Sequence, residues 1–317
     1  MEKILTVSSS PHTRASHTTQ SIMRDVIIAL TPALLAGIFF FGLRALWVTL
    51  LSVVSCVGWE WIWQKIFKKE VTIKDLSAVV TGLLLAFNLP STVPFFVVIV
   101  GSLVAIILAK QIFGGLGQNF INPALVARAF LLAAYPQAVT TFTAPMGITG
   151  VDAVTTATPL ALMKEGLLKE LPSFLDVFLG NKGGCIGEIS ALALLLGAAY
   201  LLIRGVIRWH IPVFYLGSLF LVTWLCGGEG LGMSFYSLFL GGAILGAFFM
   251  ATDYTTSPMT VKGQIIFAIG GGVIASVIRL FGGYPEGVSY SILLMNLTVP
   301  LIDRYVKLTR FGGGKKA

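Results

Sequence analysis

Apolar runs dominate the chain, and polar or glycine-rich breaks cut them into ten segments. The runs 26–42 and 45–63 open the series, parted near Arg44. Both approach the roughly twenty residues that a helix needs to cross a bilayer. The third run, 76–87, is too short for that and stops at Asn88-Leu89-Pro90-Ser91, so it reads as a broken or half helix. Segment 94–109 follows, then Phe113-Gly114-Gly115-Leu116-Gly117-Gln118-Asn119-Phe120-Ile121-Asn122-Pro123, then a short fifth run, 124–134. After a long polar interval come 189–203, 212–226, 235–250, 265–280 and 288–301. The eighth run ends at Ala251-Thr252-Asp253-Tyr254-Thr255-Thr256-Ser257-Pro258, and the ninth at Phe281-Gly282-Gly283-Tyr284-Pro285-Glu286-Gly287.

The order of these breaks repeats. Asn88-Leu89-Pro90, a span, then Phe113-Gly114-Gly115 is matched by Asp253 to Pro258, a span, then Phe281-Gly282-Gly283. Segments three to five start on one side of the membrane and segments eight to ten on the other. The pattern predicts an all-α integral membrane protein of about ten transmembrane helices, in a 5+5 inverted repeat with broken half-helices. The corresponding divisions are an N-terminal arm (1–25), a first membrane repeat (26–134), a loop (135–187), a second membrane repeat (188–303) and a basic tail (304–317).

Composition agrees with a membrane body. Hydrophobic residues make up 56% of the 317 and charged residues 11%, with a mean hydropathy of +0.88. A soluble domain carries about 25% charged residues. The net charge of +8 does not point to nucleic acid, because the Lys and Arg residues sit in short loops and at the C-terminus. With ten crossings, sixteen of the 22 fall on one side and five on the other, with Arg128 inside a segment. That asymmetry places both termini in the cytoplasm and the 135–187 loop outside. The first apolar run follows a polar stretch, so no cleavable signal peptide is expected. Cys56, Cys185 and Cys226 share no short spacing, so no zinc or iron–sulfur site is expected from this chain alone.

Candidate chemistry concentrates in three places. In the loop, Asp152-Ala153-Val154-Thr155-Thr156-Ala157-Thr158-Pro159 puts three hydroxyls within four residues. Pro159 biases Thr158 to an extended backbone that should present its side chain outward. The stretch can equally be a capped turn before a short helix at 160–168. At the first glycine-rich break, Gln118, Asn119 and Asn122 are amides that can match donors and acceptors alike, while Gly114 and Gly115 allow close backbone approach. They can also be plain helix caps. At the second break, Asp253 with Thr252 and Thr255 could help hold a hard cation, or could be a helix-end cluster facing the cytoplasm. Glu60, between Trp59 and Trp61, is a further intramembrane acid, expected to snorkel toward the interface. Arg128 needs a partner, either an anionic ligand or a structural carboxylate.

The Asp152 to Thr158 stretch resembles the motif read by bacterial flavin transferases: Asp, two free positions, Ser or Thr, usually Gly, then Ala-Thr. Thr156 stands where Gly is usual. With Ser10-Pro11-His12, Gly114 to Ala124, and Met250-Ala251-Thr252-Asp253 with Thr256-Ser257-Pro258, nearly the whole chain resembles one family, the RnfD/NqrB family of flavin-carrying membrane subunits. Its members serve the Rnf complex and the sodium-pumping NADH:quinone reductase. The resemblance implies a urea-transporter-like body in the cytoplasmic (inner) membrane. It implies FMN bound covalently to Thr158 by a phosphoester, with Asp152, Thr155, Thr156 and Ala157 as its recognition frame. It also implies a second, non-covalent riboflavin or FMN, for which Asn119, Asn122, Gln118, Gly114 and Gly115 are candidates. The protein would belong to a ferredoxin:NAD oxidoreductase that moves Na+ or H+, and would not be catalytic alone. Asp253, Thr252, Thr255 and Glu60 are the ion-coupling candidates. Partners would be other membrane and peripheral subunits of the Rnf complex, among them a second covalent-flavin subunit and iron–sulfur subunits, a flavin transferase, and membrane lipid. The alternative is a solute channel or transporter of the same fold without a redox role.

Overall fold

The computed structural model describes residues 18–145, 156–228, 230–283 and 286–307. The segments carrying Ser10-Pro11-His12, Asp152 and Thr155 lie outside the described residues. The elements in chain order are α1 (Thr19–Phe41), α2 (Leu43–Ile66), α3 (Ser77–Phe87), α4 (Phe95–Leu103), α5 (Pro123–Ala134), α6 (Pro136–Thr140), α7 (Pro159–Lys164), α8 (Phe174–Leu179), α9 (Ala191–Ile203), α10 (His210–Gly227), α11 (Gly230–Ser237), α12 (Ala243–Leu245), α13 (Val261–Phe281) and α14 (Val288–Tyr305). π-helical turns extend α4 over Val104–Gln111 and α12 over Gly246–Met250. The described residues form an all-helical body. Four helices, α1, α2, α10 and α13, are long and apolar enough to cross a membrane.

Two boundaries differ from the sequence pattern. Helix α1 starts inside the expected polar arm, because Thr18 and Ser21 cap its first turn reciprocally. Its early turns bury Asp25, which accepts from Tyr200 Oη (3.1 Å) and pairs with Arg204 (3.3 Å). The eighth apolar run is not one span. It splits into α11 and α12 because Gly241 and Gly242 take positive φ values of 57° and 67°. The end of the 135–187 loop packs against the body. Ile186 N–H donates to Leu89 O (3.0 Å) and Gly187 N–H to Phe87 O (3.1 Å), so the turn at 185–187 is hydrogen-bonded to the α3 break.

Helices meet through small residues, which lets backbones approach closely. Helix α1 packs on α9, α2 on α3, and α10 on α13. A Cβ at Gly197 would lie 1.9 Å from Ala29 O, and one at Gly272 would lie 2.0 Å from Ser218 Oγ. Gly197→Ala is therefore expected to force α9 off α1 and cost about 1–3 kcal/mol, the usual range for overpacking. A thermal melt of the purified variant in detergent checks this; an unchanged midpoint would contradict the close contact.

Candidate functional site

Thr158 is the N-cap of α7. Its backbone is extended (φ −68°, ψ 149°), as Pro159 dictates, but its side chain turns inward rather than outward. The hydroxyl accepts from Ala161 N–H (3.3 Å) and the residue is 7% exposed. The helix it starts is shorter than expected, ending at Lys164. Thr156 N–H donates to Phe142 O (3.0 Å), and Gly183 packs against the Thr156 hydroxyl. Thr156 is not among the residues with positive φ, so the usual Gly is not required here by backbone conformation. Beside Thr158 lies a cavity of about 190 Å³, lined by Leu132, Val139, Phe142 and Ala161 and by Arg128 and Glu286.

Arg128 has a structural carboxylate, not a free charge. Its guanidinium pairs with Glu286 and donates to both Asn88 O (2.8 Å) and Asn88 Oδ1 (2.9 Å). It thereby satisfies a carbonyl left open where α3 stops. Glu286 was invisible as a site residue in the sequence, because its partner comes from a distant segment.

A second cavity, of about 90 Å³, lies between residues of the 22–124 and 201–255 stretches. Asn119, Asn122, Thr252, Asp253 and Thr255 all line it. Gln118 does not: it is exposed, while Gly114 and Gly115 line a separate vestibule with Gln64 and Gln111. Asn122 caps α5, its Oδ1 accepting from Ala124 N–H (3.1 Å) and Leu125 N–H (3.3 Å), and its Nδ2 donating to Met250 O (3.4 Å). Its hydrogen-bonding capacity is largely spent. Asn119 differs. Its Nδ2 reaches Thr255 Oγ1 (3.3 Å), but its buried Oδ1 has no donor among the described residues. A buried acceptor without a partner is costly and calls for a ligand or water. Asp253 accepts from Thr255 N–H (3.2 Å), Thr255 Oγ1 (3.0 Å) and Thr256 Oγ1 (3.3 Å). The Thr252 hydroxyl is committed to Phe248 O (2.7 Å).

Glu60 does not snorkel. It is 1% exposed and takes Lys110 Nζ on both oxygens (2.9 and 3.0 Å), with Gln111 Nε2 at 2.7 Å. Lys110 also donates to Ser77 Oγ (2.6 Å). Lys110 and Ser77 line the central cavity, whereas Gln111 lines the vestibule, so Glu60 lies between the two spaces. Lys110 and Gln111 both lie in the π-helical turns at 104–111 and reach the same carboxylate; such turns recur at functional sites.

A family model described as the NQR2, RnfD, RnfE family matches residues 6–312. The chain belongs to this family. It is 56% identical to the D subunit of the Na(+)-translocating ferredoxin:NAD(+) oxidoreductase complex of Acetobacterium woodii, over 97% of this chain and 95% of that protein. It is 47% identical to the D subunit of the proton-translocating ferredoxin:NAD(+) oxidoreductase complex of Clostridium ljungdahlii, over 98% and 97%. It is 35% identical to the D subunit of the ion-translocating oxidoreductase complex of Escherichia fergusonii, over 98% and 99%. Family membership and the four long apolar helices together make this a multi-pass membrane protein.

Proposed function

We propose that this chain is the membrane electron-transfer component of an ion-translocating ferredoxin:NAD oxidoreductase complex. It carries FMN covalently on Thr158 and a second, non-covalent flavin in the central cavity. A flavin supplies reversible one- and two-electron chemistry when bound. The observation that carries the reading is the placement of α5. Pro123 and Ala124 at its start line the central cavity, and Arg128 and Leu132 farther along line the Thr158 cavity. At 1.5 Å rise per residue, Ala124 and Arg128 are about 6 Å apart along the axis. One short helix thus separates the two cavities.

The residues fit the group. Thr158 offers a hydroxyl that donates to nothing among the described residues and so can be esterified while its oxygen remains a cap acceptor. Apolar walls beside it suit a flat ring. Because Thr158 is 7% exposed, a flavin transferase must reach it before α7 packs down, or while it is lifted. In the central cavity, the Asn119 amide oxygen would accept an N–H of the second ring, and Lys110 faces the same space.

The breaks themselves meet at the centre. Asn88 Nδ2 lies 3.7 Å from Met250 Sδ, and Asn296, its amide turned to donate to Thr256 O (3.0 Å), accepts from Asn122 N–H (3.1 Å). This supports the inverted 5+5 plan; the uneven spread of Lys and Arg supports both termini cytoplasmic in the inner membrane, with Thr158 on the opposite side. For ion coupling, Glu60 and Asp253 are the acids beside the cavity. The coupled ion would be Na+ or H+, as named for the two relatives above.

Asn119→Leu is expected to lose the non-covalent flavin and keep the covalent one, because the leucine offers no acceptor and fills the cavity. Flavin extracted by acid from the purified protein, against label retained on the denatured band, measures both. An unchanged extractable fraction would contradict the central site. The rival solute-transporter reading predicts no flavin of either kind, and solute flux in proteoliposomes instead.

A further inference from the structure

Beneath the Thr158 cavity lies a buried cluster of charge. Arg128 is 7% exposed and comes from α5; Glu286 comes from the loop before α14. Glu188 is also buried, one oxygen accepting from Cys185 N–H (3.0 Å). Oxygens of Glu188 and Glu286 and the Cys185 sulfur lie within 4.8 Å of one another. Lys182 and Arg279 are within electrostatic reach of these carboxylates, yet both are held by backbone carbonyls: Lys182 by Phe239 O (2.7 Å), Arg279 by Ser237 O (2.9 Å) and Leu240 O (2.8 Å). Among the described residues, three basic groups therefore face two acidic ones beneath the cavity.

Such a cluster is a poor source of stability, since an apolar replacement of a buried ion pair is often neutral or better. Ionisable groups inside a membrane body mark function more often than architecture. Of the five, only Arg128 and Glu286 reach the cavity that Thr158 shares.

We propose that this cavity seats the ring of the covalent flavin over the Arg128–Glu286 pair, and that the pair sets the ring's reduction potential. The inference rests on the covalent-flavin reading above. The step is a reduction with no change at the Thr158 ester. When bound, the ring would take two electrons, one at a time, from low-potential iron–sulfur donors and one proton from solvent, and would then carry one more negative charge than when oxidised. Arg128 favours that added charge and Glu286 opposes it, and low local polarity magnifies both effects. Drawn from the two halves of the body, the pair makes the potential depend on how the halves sit together.

The test is a dithionite redox titration of the purified, flavin-loaded protein, wild type beside Arg128→Gln, Glu286→Gln and the double variant. In-gel fluorescence first confirms that each chain carries its label. Arg128→Gln is expected to shift the covalent flavin to lower potential, Glu286→Gln to higher potential, and the double variant to fall between them, near wild type. A merely structural role for the pair would not give opposite signs. Where Arg128→Gln fails to insert, Arg128→Lys replaces it, with a potential close to wild type beside the raised Glu286→Gln. Shifts of the same sign, or labelled variants with unmoved potentials, would overturn the role of the pair and leave the covalent flavin standing. An unlabelled wild-type chain would overturn the covalent reading, and this inference with it.

Discussion

Thr158→Val is expected to remove the covalent flavin entirely while leaving the helical body in place. The substitution keeps the shape of the side chain and deletes its only nucleophilic atom. Its structural cost is one helix cap, about 0.5–2 kcal/mol. That loss falls on α7, a six-residue helix held by its own apolar contacts: Leu160 and Met163 pack with Val177, Tyr236 and Leu240. The chain should therefore still insert and purify. Thr158→Ser restores the hydroxyl and should restore the label, whereas Thr156→Val should not remove it. In-gel flavin fluorescence after co-expression with a flavin transferase reads all three. A fluorescent Thr158→Val band would place the acceptor elsewhere.

Lys110→Met is expected to be among the most destabilising single changes in the body, by about 3–5 kcal/mol. It strips Glu60, 1% exposed, of its counter-charge and leaves a carboxylate held only by amides. Adding Glu60→Leu should recover most of the loss, because the pair is then replaced by apolar groups of similar volume. Thermal melts of the single and double variants in detergent measure this. A double variant no more stable than Lys110→Met would mean that the pair contributes through hydrogen bonds to Ser77 and Gln111 rather than through charge. The double variant also separates structure from coupling. If Glu60 belongs to the ion path, the repaired protein, assembled in its complex, should hold flavin and pass electrons yet fail to build an ion gradient.

The positions of the apolar runs, the breaks and the Thr158 motif were legible in the sequence because they depend on neighbours along the chain. The half helix at 76–87 matches α3, whose ends the run of apolar residues and Asn88 already marked. The split of the eighth run was legible in principle at Gly241-Gly242, two adjacent residues free to adopt positive φ. The π-helical turns left no such mark. Nor did the charge pairs, since Glu60 and Lys110 are 50 residues apart and Arg128 and Glu286 are 158 apart. Such partners become visible only when helices cross. At Thr158, Pro159 fixed the backbone and the hydroxyl caps Ala161 N–H three residues on, both local effects; the burial of the residue beside Arg128 and Glu286 was not legible, because those come from distant segments. The amides at the first break show the converse. Their type suggested a site, but only tertiary structure separated Asn119, with its unpaired oxygen, from Asn122, a cap, and Gln118, a surface residue.

The most direct test of the central claim is peptide mapping by mass spectrometry of the protein purified after co-expression with a flavin transferase. The account predicts one adduct, with the mass of FMN less one water, on the peptide containing Thr158 and localised to that residue. An unmodified peptide, with the transferase proven active on another substrate, or an adduct on a different residue, would contradict it.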